Sequence, residues 1–204
     1  MTVTNPTDGF SRRTFLCGSA IATAGASLTE AAFAASNAPD HISTTVGPDV
    51  APVVLNVNGS SRSMSVAPNM TLAEALRGPL GLTGTKIGCH RGSCSACTIL
   101  LDGVAVNSCM LLAIDVGDRK VTTVEGLAHG NALHPVQEAF IEHDAVQCGF
   151  CTPGLVMSCA ALLAQVPDPT EADVKAAISG HLCRCGTYPH VVSATLAAAK
   201  AQKG

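Results

Sequence analysis

Eight of the ten cysteines in this 204-residue chain fall into two tight groups. The first is Gly88-Cys89-His90-Arg91-Gly92-Ser93-Cys94-Ser95-Ala96-Cys97, with Cys109 twelve residues on. The second is Gln147-Cys148-Gly149-Phe150-Cys151, joined by Cys183-Arg184-Cys185 further along. Thiols at such short spacings point to metal or disulfide chemistry before anything else. Whatever the chain folds into must bring four sulfurs together, twice.

The first group reads C-x4-C-x2-C with a distant fourth cysteine, the spacing with which plant-type ferredoxins hold a [2Fe–2S] cluster. Three thiolates must converge on a small centre, so a short loop has to curl tightly with its amide N–H groups turned inward. Gly88, Gly92, Ser93, Ser95 and Ala96 are small enough to permit that. Cys109 follows a hairpin, which would fix the loop to a rigid sheet. Zinc competes, but zinc sites favour two C-x2-C pairs at longer separation. A Rieske centre needs two His ligands; His90 stands alone and reads as a loop residue. In the second group Cys148 and Cys151 precede one expected helix and Cys183 and Cys185 another. Helix N-termini favour thiolate. Disulfides compete wherever a chain is exported, yet a C-x-C pair makes an awkward bridge. Cys159 falls on an apolar stripe with Leu155, Val156, Leu162 and Leu163 and reads as buried packing. Phe150 and Tyr188 adjoin the second group; shielding from water and ordinary packing are both open to them.

Around these groups the pattern predicts an α+β chain. Val53–Val57 reads as a strand, Asn58-Gly59 as a two-residue hairpin turn, and Ser63–Val66 as the returning strand. Thr71-Leu72-Ala73-Glu74 is a capping box opening a helix over Leu72–Arg77. Strands follow at Thr98–Leu101, at Val104–Val106 after an Asp102-Gly103 turn, and at Val121–Val124. Helices are expected at Pro135–His143, from Pro153 with Thr152 as cap, at Glu171–Ser179 with Thr170 as cap, and at Pro189–Lys200. The division is therefore a sheet domain over residues 52–127 and a four-helix domain over 128–204. With 47% hydrophobic and 13% charged residues a core can form. One Tyr, five Phe and no Trp mean that it is built mostly of Ala, Val, Leu and Ile. A formal charge of -3 and the lack of a Lys/Arg-rich run argue against a nucleic-acid partner.

The N-terminus reads as an address. Ser11-Arg12-Arg13-Thr14-Phe15-Leu16 matches the twin-arginine export pattern, an Ala-rich stretch follows, and Ala32-Phe33-Ala34 fits a cleavage site. Residues 1–34 are expected to be removed, residues 35–51 to act as a linker, and the mature chain to work in the periplasm without a membrane span. Leu16 before Cys17 speaks against a lipoprotein. The twin-arginine route carries folded proteins, which suits a chain that must close around its metal before export.

The runs Gly88–Cys109 and Gln147–Gly154, with Cys183-Arg184-Cys185, resemble the iron–sulfur subunits of the xanthine oxidase, aldehyde oxidase and carbon monoxide dehydrogenase family. The likeness spans residues 52–200 and, with the export signal, is closest in kind to periplasmic aldehyde oxidoreductase small subunits. The resemblance implies a β-grasp ferredoxin-like domain followed by a four-helix [2Fe–2S]-binding domain. Cys89, Cys94, Cys97 and Cys109 would hold the first cluster, and Cys148, Cys151, Cys183 and Cys185 the second. It also implies that Gln147 and Cys185 lie at the molybdopterin of a large molybdenum-binding subunit, and that an FAD subunit or a cytochrome-type acceptor takes the electrons onward. The chain would then serve aldehyde or N-heterocycle oxidation without a complete active site of its own. A free-standing periplasmic ferredoxin-type shuttle and a zinc-stabilised interaction module are the competing classes.

Four positions depart from the family pattern: Ser95 where Gly is usual, His181 where Asn is common, and Gly186-Thr187 for the more frequent Thr-Gly. Ser95 is expected to carry backbone strain and to place its hydroxyl among the cluster sulfurs.

Overall fold

Two turns set the register of the sheet. Asn58 and Gly59 both have positive φ, 50° and 74°, as a type I′ turn requires. Val57 therefore pairs with Ser60, and β1 (Ala51–Val57) runs antiparallel to β2 (Ser60–Val66). The returning strand thus starts three residues before the expected Ser63. Asp102 and Gly103, at 51° and 84°, repeat the device between β3 (Thr98–Leu101) and β4 (Val104–Asn107). In this computed structural model, which describes residues 47–203, β5 (Lys120–Thr122) closes the sheet in the order β2-β1-β5-β3-β4. It lies parallel to β1 and antiparallel to β3. The strand stops at Thr122 rather than Val124. Thr123 donates its N–H to Asn58 Oδ1 (2.9 Å), and the chain bends into a 3₁₀ turn at Val124–Gly126.

Helix α1 (Leu72–Arg77) begins at the capping box read from the sequence: Glu74 N–H donates to Thr71 Oγ1 and Thr71 N–H to the Glu74 carboxylate. The same box, Thr170 with Asp173, opens α4 (Glu171–Ile178). Helix α2 (Pro135–Glu142) starts at a cap the sequence did not suggest, His134, whose Nδ1 accepts from Val136 N–H (3.2 Å). Helix α3 (Thr152–Gln165) departs more sharply. Thr152 is its first residue, Cys151 is the N-cap, and no side chain caps it. Helix α5 (Tyr188–Ala201) completes the four.

Alternation along β3 explains how the halves meet. Ile99 and Leu101 pack with Leu55, Val57, Leu72, Leu76 and Val121 beneath α1. Leu100 points the other way, into the core formed by Phe140, Leu155, Met157, Val174 and Val191. Helix α3 is thus held between the sheet and its sister helices. This is why eight successive residues, Gly154–Ala161, are buried where a single apolar stripe was expected. All described residues belong to one compact unit. The export signal, its cleavage site and most of the linker lie outside the described residues. No helix among the described residues is long and apolar enough to cross a membrane.

Candidate metal centres

The loop before β3 carries the first three cysteines, and its backbone reverses repeatedly. His90, Gly92 and Ser95 have φ of 55°, 72° and 56°. Alternating backbone signs make a concave nest of amides that suits an anionic group. Arg91 and Ser93 donate their N–H groups to Cys89 Sγ (3.4 and 3.2 Å), and Gly92 donates to Cys109 Sγ (3.3 Å). The Arg91 amide above all, with the Cys94 thiol and the amides of Ser93 and Cys94, holds the Cys89 thiol down at about 7 against the opposing effect of burial. Asn107 Nδ2 clamps the loop by donating to the Gly92 carbonyl (3.1 Å), and Ser108 Oγ donates to the Cys97 carbonyl (2.7 Å). Upstream, the Arg77 guanidinium donates to the carbonyls of Thr83 and Thr85. Cys97 and Cys109 are buried against Ala73 and Ile87. Burial pushes the Cys97 thiol up to about 11.

The second group forms where two helices begin. Cys148 is exposed, Cys183 and Cys185 are half-buried, and Cys151 is buried at the start of α3. Burial, with the neighbouring thiols of Cys183 and Cys148, raises Cys151 to about 12. Burial also works upward on Cys183, but hydrogen bonds from the Thr187 hydroxyl and backbone carry it down to about 7. Thr187 is the N-cap of α5, yet its hydroxyl sits 3.3 Å from Cys183 Sγ instead of capping the helix. Tyr188 locks the same turn. Its hydroxyl accepts from Cys183 N–H (2.7 Å) and donates to the His181 carbonyl (3.0 Å).

Within each group the side chains face one another two by two. Cys89 faces Cys94 and Cys97 faces Cys109; Cys151 faces Cys183 and Cys148 faces Cys185. All nine cysteines among the described residues are unbridged. Among those residues no set of three or more Cys, His, Asp or Glu side chains closes on one point as a single ion requires. Four thiolates gathered as two adjoining pairs are a donor set that would hold a two-iron centre. The donor sets therefore fit [2Fe–2S].

Comparison with known proteins agrees. A 2Fe-2S iron-sulfur cluster binding domain matches residues 55–128, and a [2Fe-2S] binding domain matches residues 123–196. The nicotine 6-hydroxylase small subunit of Paenarthrobacter nicotinovorans is 49% identical over 75% of this chain and 93% of its own length. The chain belongs to the iron–sulfur small subunits of the molybdenum hydroxylases. Another member, the aldehyde oxidoreductase iron-sulfur-binding subunit of Escherichia coli O157:H7, is 39% identical over 74% of this chain and 72% of its own. The crystal structure of quinoline 2-oxidoreductase from Pseudomonas putida 86 superposes with a TM-score of 0.73 at 42% identity, covering 76% of this chain and 96% of that one.

In this iron–sulfur subunit Gln147 is exposed and immediately precedes Cys148, whose thiol interacts with that of Cys185. Phe150 turns from its own motif towards Gly88 of the first loop: a Cβ there would lie 3.5 Å from Phe150 Cε1. Ser95 has the left-handed backbone expected of it, but its hydroxyl does not point among the sulfurs. It faces Gly180, whose Cβ would be 3.3 Å away, across a cavity of about 190 Å³ also lined by Ser158 and His181. Cys159 is fully buried and accepts from the Thr195 hydroxyl (3.1 Å), a packing residue as read. His181 carried no signal beyond its departure from Asn. It is buried, and burial lowers its imidazole to about 4.

Proposed function

We propose that this subunit carries electrons, one at a time, away from a molybdenum site on a larger partner. The observation that carries the proposal is the pairwise facing of the cysteines in two sites whose loops touch. Leu182 beside Cys183 donates its N–H to the Cys94 carbonyl (3.2 Å). Cys89 with Cys94 and Cys97 with Cys109 would hold the two irons of one centre. Cys148 with Cys185 and Cys151 with Cys183 would hold those of the other. When bound, a [2Fe–2S] cluster supplies one-electron transfer without moving atoms. This chain's residues set the terms of that transfer. The Arg91, Gly92 and Ser93 amides aimed at sulfur favour the more negative state, and the burial of Cys97 and Cys109 keeps water from one side of their centre.

Gln147 and Cys185, beside the exposed Cys148, are where the molybdopterin of a large molybdenum-binding subunit would sit. Electrons would then pass to the Cys89–Cys109 site and on to an FAD subunit or a cytochrome-type acceptor. The oxidation itself belongs to the partner. The relative named for nicotine, at 49%, is more similar to this chain than the aldehyde oxidoreductases, at 38–42%. That favours an N-heterocycle over an aldehyde as substrate. Anaerobically purified protein is expected to contain about four iron and four sulfide per chain and to co-purify with a larger molybdenum protein. Stoichiometric zinc without iron would overturn the proposal.

The twin-arginine pattern at Ser11–Leu16 supports work in the periplasm. Arg12→Lys combined with Arg13→Lys should leave coloured, folded protein in the cytoplasm on cell fractionation. Continued delivery to the periplasm would refute the export reading.

A further inference from the structure

Leu182 makes the hydrogen bond between the two cysteine loops with its backbone, while its own side chain is 63% exposed. Nothing on Leu182 beyond its main chain holds that N–H in place. The residue before it is tied at every polar group but one. His181 is 4% exposed. Its N–H donates to the Ile178 carbonyl (2.9 Å) and its carbonyl accepts from Tyr188. Its Nε2 lies 2.7 Å from Ser158 Oγ, on α3.

Ser158 stands four residues after Gly154 on that helix, so the two share a face. Gly154 is where α3 meets the first loop. A Cβ there would collide with the Ser95 carbonyl oxygen and lie 3.2 Å from Ala96 Cα. One face of α3 thus supports the first loop at Gly154 and holds the second, through Ser158 and His181, one turn later. The helix acts as a spacer that fixes Cys94 and Leu182 at hydrogen-bonding distance.

We propose that His181, held by Ser158, is a positioning residue for electron transfer between the two centres. The inference rests on the ligand assignment proposed above. When both clusters are bound, one electron would leave the centre that Cys148, Cys151, Cys183 and Cys185 would hold, oxidising it, and would reduce the centre that Cys89, Cys94, Cys97 and Cys109 would hold, with no bond formed or broken. A hydrogen bond on that route couples donor and acceptor better than an open van der Waals gap. Loosening the Leu182 N–H should therefore slow transfer without removing either centre.

The test uses the full chain with both centres loaded. Iron and sulfide content and the separate EPR signals are recorded first. Inter-centre equilibration is then followed after flash photoreduction. Ser158→Ala and His181→Leu are expected to keep both EPR signals and to slow equilibration on the order of tenfold, as loss of an outer hydrogen bond does at other metal sites. His181→Gln, which places an amide near the former Nε2, should restore most of the rate. Combining Ser158→Ala with His181→Leu should add little, because both remove one link. An unchanged rate in Ser158→Ala, a substitution small enough to leave the fold intact, would overturn the proposal. So would a His181→Gln rate as slow as that of His181→Leu. Absence of the second EPR signal from the unsubstituted protein would instead overturn the ligand assignment.

Discussion

The loop at residues 88–97 and the site at the starts of α3 and α5 each gather cysteines, but by opposite means. The first takes three of its four sulfurs from one short segment. Its shape comes from left-handed backbone at His90, Gly92 and Ser95 and from amides pointing at sulfur. The second draws on Cys148 and Cys151 from one segment and Cys183 and Cys185 from another. Its shape comes from how helices pack, with Thr187 and Tyr188 trimming the junction. A locally encoded site answers to changes in backbone freedom. A site assembled from distant segments answers to changes in the core.

The largest effect expected is loss of a centre. Cys97→Ala and Cys151→Ala should each lower iron from about four to about two per chain, with the surviving EPR signal belonging to the other site. Complete loss of iron from either variant would break the comparison, since it would make one site depend on the other. A smaller effect should follow from the surface the sites share. Gly154→Ala forces a methyl group against the Ser95 carbonyl. Overpacking of this kind should lower the unfolding free energy by about 3 kcal/mol, measured by denaturant titration. Helix α3 serves both sites, so both visible signals should fade together, and a midpoint equal to that of the parent protein would contradict the close approach. The smallest effect separates backbone from side chain in the first loop. Ser95→Gly should raise stability by about 1 kcal/mol or less, by relieving a left-handed backbone at a residue with a Cβ. The first-centre potential should stay where it is, because the hydroxyl faces Gly180. A shift in that potential on EPR-monitored titration would place the hydroxyl at the sulfurs after all.

What could be read from the chain alone follows the same division between local and distant. Asn58-Gly59, Asp102-Gly103 and the capping boxes at Thr71 and Thr170 act within a few residues, and each forms where the pattern put it. The grouped cysteines were equally legible, because spacing along a loop limits how sulfurs can converge. Thr152 was misassigned because Ser, Thr and Asn dominate N-caps, whereas Cys151 occupies that position with its sulfur turned to Cys183. The last strand was drawn too long because Thr123 is held by Asn58, a partner 65 residues away. The hydroxyl of Ser95 was misplaced for a related reason. What it faces, Gly180, belongs to the other half of the fold, and no local pattern encodes that approach.

The parallel pairing of β1 with β5 has a consequence for how the protein is made. The sheet behind the first loop cannot close until Thr122 has left the ribosome. The second site waits for Cys185 and Tyr188, about 60 residues later, an interval on the order of 3–12 s at ordinary rates of translation. During that interval the nascent chain offers one complete set of four thiols and half of another. A chain that took up its clusters during synthesis would fill the first site before the second, and a product cut short before Cys183 would have thiols for only one centre.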